Sequence, residues 1–175
     1  MKIYNPEGEL FEERVQLCST SPLLSGGKIG ILDNGKPNAN LLLTKVAEGL
    51  AGRIDAKVSI VTGKGERANA ATACNPQVVG MLAEEVQLVL TGSADWGSCT
   101  SWSVHDLIEI EKSGVPAVVF TTEKFKELTY ATANSLGMPK ARIMVVPHPL
   151  GGTEEETIID WAESAVDGLV EILEV

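Results

Sequence analysis

The sequence has few cysteines and little positive charge, and each shortage argues against a class of protein. Its three cysteines, Cys18, Cys74 and Cys99, are an odd number with no close pair. A disulfide framework is therefore not expected, and a reducing compartment fits. Only 14 basic residues face 24 acidic ones, for a net charge of −10. That balance argues against a surface for nucleic acid or for an anionic membrane.

Long apolar runs are missing as well. No stretch approaches the roughly 18 apolar residues that suggest a membrane span. Residues 1–7 lack the apolar core of a secretion signal. A cytoplasmic location is therefore expected. With 175 residues, 44% of them hydrophobic and 22% charged, the chain is long enough for one soluble domain with a full core.

Five short apolar runs alternate with segments of helical periodicity, and this alternation predicts the fold. The predicted strands span residues 28–32, 57–61, 86–90, 116–120 and 142–146. Strands that alternate with helices imply a parallel sheet covered on both faces. We therefore expect an α/β domain over residues 28–175. The domain is expected to have a five-stranded, mostly parallel sheet with helices on both faces. This arrangement is a Rossmann-like or flavodoxin-like three-layer sandwich.

Residues 1–27 differ in character, since they are acidic first and then carry a possible short strand over residues 14–18. We expect them to form an N-terminal arm that packs on the domain or on a second subunit.

Among the helices, the first is expected to begin at Asn38 and the third near Ser101. Thr122 is expected to cap the fourth helix, and Thr153 with Glu156 to form a capping box on the last.

The polar loop over residues 91–106 holds the densest group of reactive side chains. It carries Cys99 from the end of the third strand to the start of the third helix. The first amides of a helix lack partners and form the positive end of its dipole. A thiol placed there loses its proton more easily, and the thiolate is the reactive form. The alternative is a plain turn in which serine and threonine cap the helix.

Ligands of open α/β sheets bind beyond the carboxyl ends of the strands, near the switch in strand order. This rule gathers the loops after all five predicted strands into one cleft. The candidate catalytic residues are Cys99, Trp96, His148 and His105. The candidate substrate-binding residues are Asp33, Asn34, Lys36, Asn38, Ser98, Thr100, Ser101 and Thr121.

Each charged or titratable candidate has a functional and a structural interpretation. Cys99 is the best nucleophile. His148 lies between two prolines that fix its loop, so it is either an acid or base, or filler in a rigid turn. His105, six residues after Cys99, either reaches the thiol or packs on the helix. Lys36 either binds a carboxylate beside the first helix or is simply solvated.

Metal ligation is the weaker interpretation of these residues. Cys99, His105, Asp106 and His148 supply suitable atoms, but no close pair such as Cys-x-x-Cys is present. Neither a metal nor a cofactor is therefore expected.

The segment Asp-Trp-Gly-Ser-Cys-Thr-Ser-Trp-Ser at residues 95–103 resembles the signature of the UGSC family of (seleno)proteins. That family is named for selenocysteine (or cysteine), glycine, serine and cysteine. The segment Asp-Asn-Gly-Lys-Pro-Asn at residues 33–38 also resembles it, and the similarity extends from about Lys28 onwards. Trp96 stands where the family has selenocysteine or cysteine. A UGA codon read as tryptophan, a deliberate replacement and a genuine variant all give this letter.

The resemblance implies redox chemistry. With selenocysteine or cysteine at position 96, the segment would be a Cys-x-x-Cys-type pair, and such pairs do thiol redox work. The family looks similar to the selenoprotein B subunits of the glycine and betaine reductases. That similarity implies reduction of a small carboxylated or amine-bearing molecule through a covalent adduct, with position 96 attacking, Cys99 resolving and a redox partner protein. A genuine Trp96 breaks that cycle.

Two alternatives remain open. The loop at residues 33–35 and the Cys99-Thr100 step also resemble, more weakly, the aspartate/glutamate racemase and maleate isomerase group. This implies a single-thiol lyase or isomerase with Cys99 as nucleophile or base. Such a site would be completed across a subunit interface, and a homo-oligomer is expected. The other alternative is a non-catalytic subunit that binds a small molecule and has lost its reactive position to Trp96.

Overall fold

The computed structural model describes residues 15–21 and 26–175. Within these ranges there are five strands, one at each of the five apolar runs of the α/β domain. They are β1 (Lys28–Asp33), β2 (Lys57–Gly63), β3 (Leu88–Ala94), β4 (Ala117–Thr122) and β5 (Ile143–Val146). The helices are α1 (Ala39–Ile54), α2 (Pro76–Glu85), α3 (Gly97–Lys112), α4 (Lys126–Ser135) and α5 (Glu155–Leu173). A short 3₁₀ turn, Glu123–Phe125, leads into α4.

All strand pairs in the sheet are parallel, and the strand order is β2-β1-β3-β4-β5. This is the order of flavodoxin-like folds, so the predicted α/β class is confirmed. From β1 the chain turns to one side for β2 and then crosses to the other side for β3. The loops after β1 and β3 therefore diverge, which opens a crevice at the carboxyl edge of the sheet.

Helices cover both faces of the sheet and form two cores. Helices α1 and α5 cover one face, and helices α2, α3 and α4 cover the other. Strand β4 contributes to both, since Val118 and Phe120 face the first core while Ala117 and Val119 face the second. Side chains of a strand alternate between faces, so a strand between two helical layers is apolar throughout. Every residue of β4 is buried.

Several predicted helix starts are wrong. Helix α3 begins at Gly97, four residues before Ser101, and Trp96 occupies its N-cap position. The capping box at the last helix is absent, because Glu154 is the N-cap residue without a side-chain cap. The hydroxyl of Thr153 donates instead to the carbonyl of Pro149 at 2.5 Å. Thr122 is the N-cap residue of the 3₁₀ turn before α4, but its side chain makes no cap hydrogen bond.

Part of the predicted N-terminal arm is described, over residues 15–21. Its described residues form no strand, so the predicted strand is wrong from Val15 onwards, while Arg14 and most of the remaining arm lie outside the described residues. The amide of Val15 donates to the carbonyl of Gly137 at 3.1 Å. The amide of Cys18 donates to the Glu111 carboxylate at 2.7 Å. These contacts hold the segment against the face that carries α3 and α4.

The helices considered for a membrane span are those of the described ranges, 15–21 and 26–175. None of them combines the length and the apolar character that crossing a bilayer requires.

Candidate active site

A cleft of about 450 Å³ lies at the carboxyl edge of the sheet, between the ends of β1 and β2 and the start of α3. Four of the predicted substrate-binding residues line it, and they are Asp33, Asn34, Lys36 and Ser98. The other walls are formed by residues 63–65 and 68–71. The cleft therefore lies at the switch in strand order, where ligands of open α/β sheets bind.

The β1 loop is held in place by its own side chains. Asp33 Oδ1 accepts a hydrogen bond from the amide of Gly35 at 2.8 Å, and Asn34 Oδ1 accepts one from the amide of Lys36 at 3.2 Å. The buried Asn34 amide group also donates to the carbonyl of Ser93 at 2.8 Å and to Ser103 Oγ at 3.3 Å. The side chain of Asn34 thereby fixes this wall of the cleft to the end of β3 and to α3.

A buried ion pair holds the opposite wall. Lys64 Nζ lies 2.6 Å from Asp106 Oδ2, with side-chain exposures of 1% and 3%. Lys64 also donates to the carbonyl of Thr72, and Asp106 Oδ1 accepts from the amide of Cys74 at 2.8 Å. Burial raises the pKa of Asp106, while the hydrogen bond and charge of Lys64 oppose that shift. The two side chains tether the loop over residues 64–75 to α3.

The start of α3 brings positions 96 and 99 together. Trp96 is the N-cap residue with extended backbone, and its side chain projects outward, since the residue is 64% exposed. Cys99 is fully buried. Its sulfur lies 3.1 Å from the backbone nitrogen of Trp96, which donates to it, and 3.1 Å from the Trp96 carbonyl, to which the thiol donates. A substrate in the cleft therefore does not touch Cys99 in this conformation.

A glycine permits the close approach of β3 to β4 just before this helix. Gly92 has φ of 148°, and a Cβ atom there would lie 2.9 Å from the carbonyl oxygen of Phe120. A side chain would have to push β4 away, so only glycine fits this conformation. The β3 end and the α3 start are thus held at a fixed distance from β4.

A second polar cluster lies at the carboxyl ends of β3, β4 and β5. His148 Nδ1 lies 3.0 Å from Asp95 Oδ1 and 3.1 Å from Thr122 Oγ1. Asp95 is 3% exposed, and its other oxygen accepts from the amide of Gly151 at 3.4 Å. The side chain of His148 is 18% exposed. Sequence reasoning selected His148 but missed its partners, although Thr122 is the last residue of β4 and Asp95 directly follows β3.

Three predicted residues on α3 do not line the cleft. His105 packs on Trp102, with ring centroids 5.2 Å apart. Six residues turn an α-helix by about 240°, so His105 points away from the side of Cys99. Thr100 Oγ1 donates to the Trp96 carbonyl at 2.7 Å, and Ser101 Oγ to that of Gly97 at 3.5 Å. These hydroxyls serve the first turn of the helix.

Two further candidates hold the fold together instead of facing a ligand. Asn38 Nδ2 donates to the carbonyls of Leu150 and Thr153, each at 2.8 Å, and so ties the start of α1 to the loop after β5. Thr121 is fully buried and lies 2.8 Å from Thr129 Oγ1. Neither residue lines the cleft, so the substrate-binding role stays a prediction for both.

The other two cysteines are poor nucleophiles. Burial, together with the nearby carboxylates of Glu111 and Asp106, raises the pKa of the Cys18 and Cys74 thiols to about 11. Both groups are therefore neutral thiols near pH 7. Over residues 15–21 and 26–175, no three His, Cys, Asp or Glu side chains come together in a way that could hold a metal ion.

A match to a protein-family model shows which family the chain belongs to. The model of the UGSC family matches residues 2–175. The chain belongs to the UGSC family. A search of the curated proteins found no match to the chain.

Solved structures similar to this UGSC protein include two that each cover more than four-fifths of it. One is a diflavin flavoprotein A3 from Nostoc sp., with 15% identity and a TM-score of 0.46, covering 85% of this chain and 94% of that one. The other is the flavodoxin-like domain of a Synechococcus sp. protein, with 11% identity and a TM-score of 0.40, covering 82% and 99%. The flavodoxin-like classification rests on the strand order itself.

Proposed function

We propose that the start of α3 is a redox site built on a pair of chalcogens, with position 96 as the attacking group and Cys99 as the resolving thiol. The observation that supports this is the contact of Cys99 Sγ with the backbone of residue 96, at 3.1 Å to both nitrogen and oxygen. The two positions are the N-cap and N3 residues of one helix. Thiol pairs with this spacing do redox work in other proteins.

The chemistry balances with a thiol or selenol at position 96. Its anion attacks the carbon of a substrate R–X, and X leaves with its bonding electrons and takes up a proton. The Cys99 thiolate then attacks the chalcogen of the adduct, and R leaves with its bonding electrons and takes up a second proton. The products are R–H, HX and an oxidised 96–99 bond. An external dithiol or a redox partner protein returns that bond to its reduced form.

The cleft suits a small carboxylated or amine-bearing molecule. It presents the ammonium group of Lys36 and the carboxylate of Asp33 in one polar cavity, so a carboxylate and an amine each have a partner of opposite charge. Ser98 lies between positions 96 and 99 in sequence and lines the same cleft. A molecule bound there would adjoin the start of α3.

The chain with Trp96 lacks the attacking group of this cycle, since an indole neither attacks nor forms a disulfide. A non-catalytic small-molecule-binding subunit is therefore the second candidate. The exposed Trp96, two residues before the cleft-lining Ser98, favours it. The single-thiol lyase or isomerase stays a third alternative. It requires the first turn of α3 to open, because Cys99 is fully buried.

The decisive variant is Trp96→Cys. We expect it to form an intramolecular 96–99 disulfide under mild oxidation, seen by mass spectrometry as the loss of two hydrogens from one peptide. The geometry required is a Cα separation within about 7 Å. The unmodified chain should show no such couple, since the indole of Trp96 cannot form a disulfide with Cys99.

Ser101→Cys is the matched control. It adds a thiol two residues after Cys99 on the same helix, where side chains do not face each other, so no disulfide with Cys99 is expected. If Trp96→Cys oxidises only between molecules, positions 96 and 99 do not face each other. The redox proposal is then wrong, and the single-thiol or binding alternative replaces it.

A further inference from the structure

The cluster of Asp95, Thr122 and His148 determines which ring nitrogen of His148 carries hydrogen. Both contacts, at 3.0 Å and 3.1 Å, are made by Nδ1. An ionised carboxylate accepts hydrogen bonds and cannot donate them. Nδ1 must therefore be the donor, and the Thr122 oxygen can share the same hydrogen. This leaves Nε2 of the neutral ring with a free lone pair.

Asp95 has the properties of a group that orients a histidine. It is 3% exposed and accepts from the amide of Gly151 at 3.4 Å as well as from His148. Among the described residues, the hydrogen-bonding, ion-pair and aromatic-ring contacts of His148 are to Asp95, Thr122 and Phe125. Asp95 is the titratable member of that set. The histidine itself remains 18% exposed, so solvent or a ligand can reach its ring.

We propose that His148 is the proton-transfer group of the site and that Asp95 is its positioning residue. Asp95 directly precedes position 96, the N-cap residue of α3, so the cluster adjoins the start of that helix in the chain. This inference rests on the proposed redox function. His148 Nε2 takes the proton of the position-96 thiol as its anion forms, and the resulting imidazolium returns that proton to the leaving group X. The carboxylate of Asp95 stabilises the imidazolium in between.

The competing interpretation is structural, with Asp95 merely tying the loop after β5 to the end of β3. Both interpretations predict that variants at Asp95 lose stability. Both also require hydrogen on Nδ1 of His148, so the tautomer tests the contact on which the proposal depends. They differ in the pH dependence of a thiol at position 96, and that property decides between them.

The tautomer is measured on the unmodified chain by long-range ¹H–¹⁵N correlation spectra. The chain has two histidines, so His105 serves as internal reference. We expect neutral His148 to carry its hydrogen on Nδ1, and Asp95→Asn to give a mixture of tautomers, because an amide can donate or accept. Hydrogen on Nε2 of His148 in the unmodified chain would overturn the proposal without any variant.

The proton transfer is measured in the Trp96→Cys background as the alkylation rate of Cys at position 96 against pH. We expect a step in that profile at the pH where His148 titrates by NMR. The step should vanish in His148→Gln and shift in Asp95→Asn, with a rate about tenfold lower at pH 7 for the former. Glu123→Gln, an exposed carboxylate one residue after Thr122, is the matched control and should leave the profile unchanged.

The two proposals fail separately. Absence of the 96–99 disulfide contradicts the redox function, whatever the state of His148. A pH profile that is the same with and without His148 contradicts the proton-transfer role, even where the disulfide forms.

Discussion

At the residue scale, the cleft combines fixed backbone with charged side chains. The Asp33 carboxylate bonds to the amide of Gly35 at 2.8 Å and reaches Asn40 at 3.4 Å, so its position is set by its own loop. Lys36 follows in the same loop and lines the same cavity. A ligand carboxylate that meets Lys36 would therefore bind to a preformed wall, with little ordering of backbone on binding.

Lys36→Ala tests the anion-binding half of this cleft. We expect acetate and succinate to bind about 10- to 100-fold more weakly, since a hydrogen bond to a charged group contributes about 1.5–3 kcal/mol. Isothermal titration calorimetry measures the affinity. The free energy of unfolding should change by less than about 0.5 kcal/mol, as is usual at surface positions.

Lys57→Ala is the matched control for this variant, because Lys57 is an exposed lysine at the opposite, amino end of β2. It should leave carboxylate binding unchanged. Equal affinities for the Lys36→Ala variant and the unmodified chain would remove the proposed anion pocket.

At the scale of elements, the strands were predictable and the helix starts were not. An apolar run flanked by turn residues is a local signal, and each of the five marked a strand. The start of a helix depends on which turn packs against the sheet. Thr153 had the spacing of a capping box, yet its hydroxyl bonds to the carbonyl of Pro149. Trp96, a residue without cap preference, occupies the N-cap of α3.

The part of the candidate site that could be predicted follows from one rule, which places ligands at the carboxyl ends of parallel strands. The loops after the strands were expected to meet, and Asp33, Asn34, Lys36 and Ser98 do so. Contacts between distant residues left no local signal. The Asp95–His148 contact spans 53 positions in sequence, and nothing near either residue indicates the other. The same holds for the buried pair of Lys64 and Asp106.

Asp106→Asn tests the tether of the loop over residues 64–75. The variant keeps an oxygen for the amide of Cys74 but leaves the buried ammonium of Lys64 unpaired. Breaking a buried pair costs up to about 3–5 kcal/mol, so we expect the loop to open far more often. Limited trypsin digestion, read at the exposed Arg67, should cleave at least tenfold faster.

Glu109→Gln is the control on the same helix, because the Glu109 carboxylate is 60% exposed and pairs with Lys112 at the surface. Its cleavage rate should match that of the unmodified chain. Unchanged cleavage at Arg67 in the Asp106→Asn variant would show that the ion pair does not hold this wall of the cleft.

At the scale of the whole molecule, Glu111 joins the N-terminal segment to the domain. Its carboxylate, fully buried, pairs with Arg142 at 2.8 Å and accepts from the amides of Cys18 and Ala117 at 2.7 and 2.9 Å. Arg142 also donates to the carbonyl of Cys18 at 2.8 Å. One buried charge therefore connects α3, β4, the segment before β5 and the described part of the arm.

Two arginine–carboxylate pairs of nearly equal length allow this connection to be tested. The Arg53–Asp167 pair, at 2.7 Å, joins α1 to α5 with side chains 59% and 76% exposed, whereas Arg142 and Glu111 are 12% and 0% exposed. We expect Arg142→Met to lower the free energy of unfolding by about 3 kcal/mol or more, because it leaves a buried carboxylate unpaired. Arg53→Met should cost less than about 1 kcal/mol, because water already solvates both of its charges.

Urea denaturation followed by tryptophan fluorescence measures both values, and the slope of the transition shows whether the denatured or native state has changed compactness. Glu111→Gln with Arg142→Met, as a double variant, should regain part of the loss, since it removes the unpaired charge that causes it. Equal losses of unfolding free energy in the Arg142→Met and Arg53→Met variants would mean that burial does not set the strength of these ion pairs. The N-terminal segment would then be held by its apolar contacts, chiefly Val15 and Leu17 against the core on the α3 side.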